Sequence, residues 1–371
     1  MDTAYMQPNT APRLPLELLL MICFDAADSL TLETLAVLCR TWRAFLAPAQ
    51  RLMYRDVNLE AKPMSAVHSW ALAVNCHPHL AERVQSLAIE LPDELELLAE
   101  DERQVRNALA ACVHIRKLRF LRIGSGNGCN GIDFVLRFCT FRLTHFTTSY
   151  FDFASLSFKS FLAKQNQLRF LVVLPGARID SLDLEEEPRP ALPSLIGFKG
   201  NARNIPAGRP FQRLELSWGG NLSNLQPYAQ TLTTLNLILD APQKAISILL
   251  GLYTLSQRMP SIRHLGLMSS VQAGWLESLQ ALLGATGMLP FTQLETLTII
   301  DYRTGAADEE ELCSIAKTLM KKFSRSRRVA VAAKVAEERE KMCIATREAD
   351  GEIRTVIEDK IDFEAVSMFW V

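Results

Sequence analysis

The residues with the clearest chemical potential are glycines. Gly126-Asn-Gly128-Cys-Asn-Gly131 spells Gly-x-Gly-x-x-Gly, a loop whose bare backbone N–H groups can approach a pyrophosphate at the start of a helix. The strand-like run Leu118–Ile123 precedes it and the helix-like run Ile132–Phe138 follows. Asp152 stands about 20 residues beyond, where an acid would meet a ribose. Two features count against a nucleotide. The extra Gly124-Ser125 loosens a turn that the fingerprint needs tight, and a glycine-rich strand-to-helix loop also suits an irregular repeat. Cys76-His77-Pro78-His79 clusters three metal-capable side chains, but Pro78 and the short spacing hinder their convergence on one ion. Lys321-Lys322-Phe-Ser-Arg325-Ser-Arg327-Arg328 could serve nuclear import or an acidic partner. It also closes the segment Glu309–Phe323, which opens on Asp308-Glu-Glu-Glu311, so the charges match the two ends of a helix dipole. No His-Glu-x-x-His, Gly-x-Ser-x-Gly, Walker or EF-hand pattern occurs. The expectation is a chain without catalytic residues, metal or cofactor.

The elements that would position any site come from leucine. Of 371 residues 56 are leucine, and only Leu312 and Leu319 lie beyond residue 300. A leucine-built core over the first 300 residues is therefore followed by a region of different construction. Forty basic and 41 acidic residues leave a net charge of −1. That balance disfavours nucleic acid, whose partners carry a basic excess. No stretch reads as a membrane span. The apolar segment Leu14–Phe24 makes a poor leader, because Glu17 interrupts it and Pro12 and Pro15 flank its start. The eight cysteines contain no Cys-x-x-Cys pair and suggest reduced thiols in an intracellular protein, cytoplasmic or nuclear.

Residues 1–12 read as a flexible tail. Pro15 suits the first turn of a helix, and Leu14, Leu18 and Ile22 repeat along one stripe. Thr31 and Glu33 open a second helix carrying Leu35, Leu38, Cys39, Trp42 and Leu46. Pro48 begins a third short stretch, Ala49–Tyr54, and Arg55–Leu59 is extended. Three short helices cannot hide all these apolar residues, which implies a partner surface. Leu14-Pro15-x-Glu17, then Ile22, then Leu38-Cys39-Arg40-x-Trp42-Arg43, with Met53-Tyr54 beyond, resembles the F-box over residues 13–59. Leu38 stands where valine is usual, and Met53-Tyr54 where Leu-Trp is usual. The resemblance implies docking on the Skp adaptor of a cullin–RING ubiquitin ligase through Leu14, Pro15, Leu18, Ile22, Leu35, Leu38, Cys39 and Trp42.

From residue 60 to 328 an apolar-x-x-apolar-x-apolar pattern recurs. Its fourth positions fall at 87, 118, 146, 171, 195, 214, 235, 265 and 297. The spacing is that of leucine-rich repeats with insertions. Asp93–Cys112 and Pro242–Gln257 fit helices between strands, the latter apolar nearly all round and so expected to be buried. The pattern resembles the leucine-rich repeats found behind an F-box, without their asparagine ladder: Gly176, Gly219, Asp240, Ser270 and Tyr302 stand at that place. The expected fold is α/β, with a small three-helix F-box followed by an irregular solenoid of about nine strand–helix units. Residues 329–371 would cap it, with a helix over Ala330–Met342 and a hairpin at Asp350-Gly351. An ordinary mixed α/β domain is the alternative architecture.

Residues flanking the marker leucines would point outward on the concave side. Lys117, Arg119, His145, Phe170, Val172, Arg213, Glu215, Asn236 and His264, joined by Thr147, Thr234, Thr296 and Thr298, form a possible target-binding face. The functional expectation is a non-catalytic substrate receptor that holds the adaptor with its first helices and an unknown protein target with the repeat surface. The alternatives are a repeat scaffold without a ligase and, third, a dinucleotide-binding enzyme.

Overall fold

A computed structural model describes residues 15, 17–18, 21, 32–41, 43–92, 99–123, 133–151, 153, 155–174, 192–202, 205–206, 208–218, 223–239, 245–269, 291–303, 308–335 and 339–359. The chain is a mixed α/β protein that divides into two compact units, one ending at Leu143 and the other starting at Thr144.

The first unit opens its described helices with α1 (Leu32–Thr41) and α2 (Arg43–Arg55). Glu33 in the first turn of α1 and Arg40 in its last complement the helix dipole. Helix α2 starts five residues before Pro48 and runs through it, a correction to the reading that Pro48 begins a third stretch. Pro48 and Ala49 are both buried, and Ala49 shares a core with Leu35 of α1, which favours continuity over the loss of one N–H donor. Leu35, Ala49 and Leu52 form the buried centre of this pair, and Leu38, Cys39, Phe45 and Met53 pack around it.

Three parallel strands follow in chain order: β1 (Asp56–Leu59), β2 (Ser86–Leu91) and β3 (Lys117–Arg122). Their register aligns Val57, Leu87 and Leu118, then Leu59, Ile89 and Phe120. Between them lie α3 (Met64–Cys76), α4 (Pro78–Ala81) and α5 (Ala99–Ala111). Helix α3 packs on α5, burying Val67, Trp70, Ala71 and Val74 from one and Val105, Ala108 and Leu109 from the other. Pro78 takes the first turn of α4, where its missing N–H costs nothing.

The second unit places β4 (His145–Thr148), β5 (Phe170–Val173), β6 (Gly197–Asn201), β7 (Arg213–Ser217), β8 (Thr234–Leu239), β9 (His264–Ser269), β10 (Thr296–Arg303) and β11 (Arg328–Val335) side by side in chain order, all parallel. One row across them reads Phe146, Leu171, Phe198, Leu214, Leu235, Leu265, Leu297 and Val329. All of these are buried. The marker pattern of the sequence is thus a register row. Connections carry α6 (Leu156–Ala163), α7 (Ala245–Arg258), α8 (Glu309–Lys322) and a 3-10 turn at Ser223–Tyr228. Under α6, Phe158 stacks on Phe151 at 4.8 Å and meets Phe146 at 5.9 Å.

Three expectations are corrected. In the fifth repeat the strand marker is Phe198, not Leu195. Leu195 takes the place that Phe211 and Leu232 take in their repeats, just ahead of the strand, so Gly197 and Lys199 flank the true marker. Ala330–Met342 is not a helix: β11 continues the parallel sheet, and β12 (Arg339–Arg347) returns antiparallel to it. Alanine is the best helix former, but intrinsic propensity is small per residue and tertiary pairing overrides it. Here Val329 and Val331 fill the next places of the apolar rows, and pairing satisfies the N–H and C=O groups that β10 would otherwise leave open. Helix α7 is not buried all round, since Leu250 and Tyr253 are exposed while Leu252 and Leu255 face the core. The hairpin at Asp350-Gly351 is present. It joins β12 to β13 (Ile353–Glu358), with Gly351 at φ +88°, where a side chain would be strained.

Candidate functional site

The face of the second unit's sheet opposite the leucine row gathers most of the expected target-binding residues. Register sets the order. His145, Phe170, Gly197, Arg213, Thr234 and His264 form one row, and Thr147, Val172, Lys199, Glu215, Asn236 and Gly266 form the next. Adjacent strands lie about 4.8 Å apart, so side chains along a row touch their neighbours.

The first row is built on a ring. His145 stacks on Phe170 with centroids 4.9 Å apart, and its Nδ1 lies 2.9 Å from the Thr144 hydroxyl. The guanidinium groups of Arg169 and Arg213 stand 5.9 and 5.8 Å from the same ring centre, within cation–π range. Phe170 leans sideways over Gly197, into space that any Cβ there would occupy. Burial lowers the Arg213 guanidinium below its usual range, and the neighbouring Arg169 charge adds to this. Burial also lowers His264, which favours the neutral imidazole. Its Nδ1 has no partner among the described residues.

The second row is an ionic network. Lys199 Nζ lies 2.5 Å from Glu215 Oε1, and Asn236 Nδ2 donates to Glu215 Oε2 at 3.2 Å. The Asn236 amide rests over Gly266, which leaves no room for a side chain there. Glu215 is only 4% exposed, and a carboxylate that dry requires such partners.

This packing corrects the expected binding face. Phe170, Val172, Glu215 and Asn236 are buried, not presented to solvent. The reason is lateral: Phe170 lies over Gly197 and Asn236 over Gly266 on the next strands, Glu215 binds Lys199 of its neighbour, and Val172 packs in one cluster with Phe170. His145, Arg213 and His264 are half-buried. Lys199 and Arg169 join the set, and the sequence reading missed both. Lys199 was hidden by the misaligned fifth marker, and Arg169 precedes its strand.

In the first unit, Lys117 and Arg119 are exposed, and Arg119 pairs with Glu60. Of the expected adaptor-docking residues, Pro15 and Leu18 are exposed and Leu38 and Cys39 are half-buried in the helix-pair core. Burial raises the Cys39 thiol. Leu35 is 2% exposed; its side chain serves the helices' own core, a correction to its place in the docking set. Leu14, Ile22 and Trp42 lie outside the described residues. Met21, Val37 and Leu46 are exposed apolar residues that the motif did not nominate.

The remaining chemistry is quickly placed. Gly126, Gly128, Gly131 and Asp152 lie outside the described residues. Cys76, His77 and His79 are all exposed, the two rings 5.8 Å apart, and no metal-holding group of three such residues occurs among the described residues. The basic run ends α8: Arg325 donates to the Thr292 carbonyl at 2.8 Å, and Arg347 from β12 donates to the Met320 carbonyl at 2.6 Å. Asp308 caps the other end through the Glu310 N–H.

The chain matches no family model and no curated protein. No helix among the described residues is long and apolar enough to cross a membrane.

Proposed function

We propose that the chain is a non-catalytic substrate receptor of a Skp–cullin–F-box ubiquitin ligase. The carrying observation is on the first helices. Leu18, Met21, Val37 and Leu46 are exposed, while the neighbouring helix pair closes its own small core with Leu35, Ala49 and Leu52. Apolar side chains left outside so small a core call for a protein cover. The ordered F-box-like residues of the sequence, Leu14-Pro15-x-Glu17 and Leu38-Cys39-Arg40-x-Trp42-Arg43, indicate which one. The second unit supports the receptor half of the reading. Its parallel strands follow one another in chain order with the markers in register, as a repeat surface for a protein target requires. On this reading the chain holds a target near the ligase machinery, and catalysis is proximity.

Co-expression with the Skp adaptor tests it. Wild type is expected to co-purify as a stable complex, and both Leu14→Ala/Pro15→Ala and Val37→Glu should lose it while staying folded. A wild-type chain that purifies alone, ignoring the adaptor, refutes the proposal and leaves a scaffold.

A further inference from the structure

We propose that Cys313 and Cys343 form an oxidisable dithiol site that a hydroperoxide converts to a disulfide. The two thiols come from separate elements, helix α8 and strand β12, which pack together in the second unit. The Cys343 thiol donates to the Cys313 sulfur, with the sulfurs 3.1 Å apart. Cys343 sits in an apolar row between Val331, reached through Leu216, Leu237, Leu267 and Ile299, and Ile357 on β13, and it is wholly buried. Cys313 is half-buried while Cys343 is wholly buried, so an oxidant reaches Cys313 first. Burial, helped by the hydrogen bond to Cys313, keeps Cys343 protonated. That assigns the roles: Cys313 is the attacked sulfur and Cys343 the resolving one.

The chemistry balances in two steps. The Cys313 sulfur attacks one peroxide oxygen; the O–O bond breaks, Cys313 becomes the sulfenic acid, and water (or the alcohol of an organic hydroperoxide) leaves. The Cys343 sulfur then attacks the Cys313 sulfur and displaces its hydroxyl, which leaves as a second water with the Cys343 proton. Two thiols are oxidised by two electrons and one peroxide is reduced. The product ties α8 to the C-terminal hairpin through a closed loop of about 30 residues, which restricts the unfolded chain.

The test treats the full chain with hydrogen peroxide, alkylates free thiols and maps peptides without reductant. The expected product is a linked peptide pair containing Cys313 and Cys343, about 2 Da below the sum of its parts and separated by dithiothreitol. The thermal midpoint should rise by about 5 °C on oxidation and return on reduction. Cys313→Ser and, as a second variant that keeps the buried position apolar, Cys343→Ala should each abolish both the linkage and the shift. The proposal is overturned if wild type keeps both thiols alkylatable after peroxide. Conversion of Cys313 to the sulfinic acid while Cys343 remains a thiol overturns it equally.

Discussion

Replacing Lys199 by methionine would leave the Glu215 carboxylate buried beside a side chain of similar length and no charge. At the 2.5 Å separation of Lys199 Nζ and Glu215 Oε1, the attraction is about 7 kcal/mol with an effective dielectric of about 20. Much of that offsets the desolvation of the two ions, so the pair itself contributes little net stability. The cost of breaking it is another matter. Glu215 is 5% exposed at its side chain and cannot turn to water, whereas Lys199, at 31%, can. The Asn236 amide remains as a partner at 3.2 Å, which holds the loss near the lower end of the range for orphaned buried charges, about 3 kcal/mol. Removing the acid instead, as Glu215→Leu, frees a lysine that reaches solvent and costs about 1 kcal/mol. The double variant should also lose only about 1 kcal/mol, because no buried charge remains. Urea titration followed by circular dichroism measures all three. A Lys199→Met loss below about 0.5 kcal/mol, or single losses that simply add, refutes the account of Glu215 as a partner-dependent buried charge.

Further outcomes follow from other contacts. Gly266→Ala should destabilise by about 1–3 kcal/mol through overpacking, because its Cβ would press on the Asn236 amide; an unchanged urea midpoint would show that the amide simply moves aside. Leu35→Ala should cost about 3 kcal/mol as a core truncation, while Val37→Glu on the exposed side stays within about 0.5 kcal/mol; equal losses in the melts would overturn the division between core and surface. Burial pushes the Cys112 and Cys139 thiols up from 9.0 to about 12. Folded-state values above the unfolded one mean that this stabilisation is complete below pH 9 and is lost as pH rises through 12. Urea midpoints should therefore fall across that window and hold steadier in Cys112→Ala/Cys139→Ala. On the acid side His264 has the opposite sign: its lowered folded value gives stability present above pH 6.5 and lost as pH falls from there through the lower folded value. His264→Gln should flatten this limb of the stability profile.

The strand register was largely legible before any coordinates. Apolar-x-x-apolar-x-apolar places a buried residue at the same point of each strand, and eight of the nine marker positions are second residues of observed strands. The fifth failed because Leu192, Leu195 and Phe198 are all apolar at spacing three, so the local pattern fits two registers. The choice is made by Leu171 and Leu214 on the neighbouring strands, which pair with Phe198. The C-terminal alanines failed similarly. Their helix preference is a local quantity, small beside the pairing offered by the open edge of β10, which is not local.

The F-box-like residues could be read in order because their spacing is a one-dimensional fact. Leu35 could not be sorted from them. A leucine on a helix stripe looks the same whether it meets a partner or its own chain, and only the position of Ala49 and Leu52 separates the two. The sequence by itself determined the alternation of strands and connections, the net charge near zero and the apolar rows, since each depends on residue type and period. Tertiary structure alone decided which flanking residues reach solvent. Burial of Phe170, Glu215 and Asn236 depends on what stands one strand away: a glycine, a lysine, a second glycine. Those neighbours are about 16 to 30 residues distant in the chain, so no local window of sequence holds both partners of such a contact.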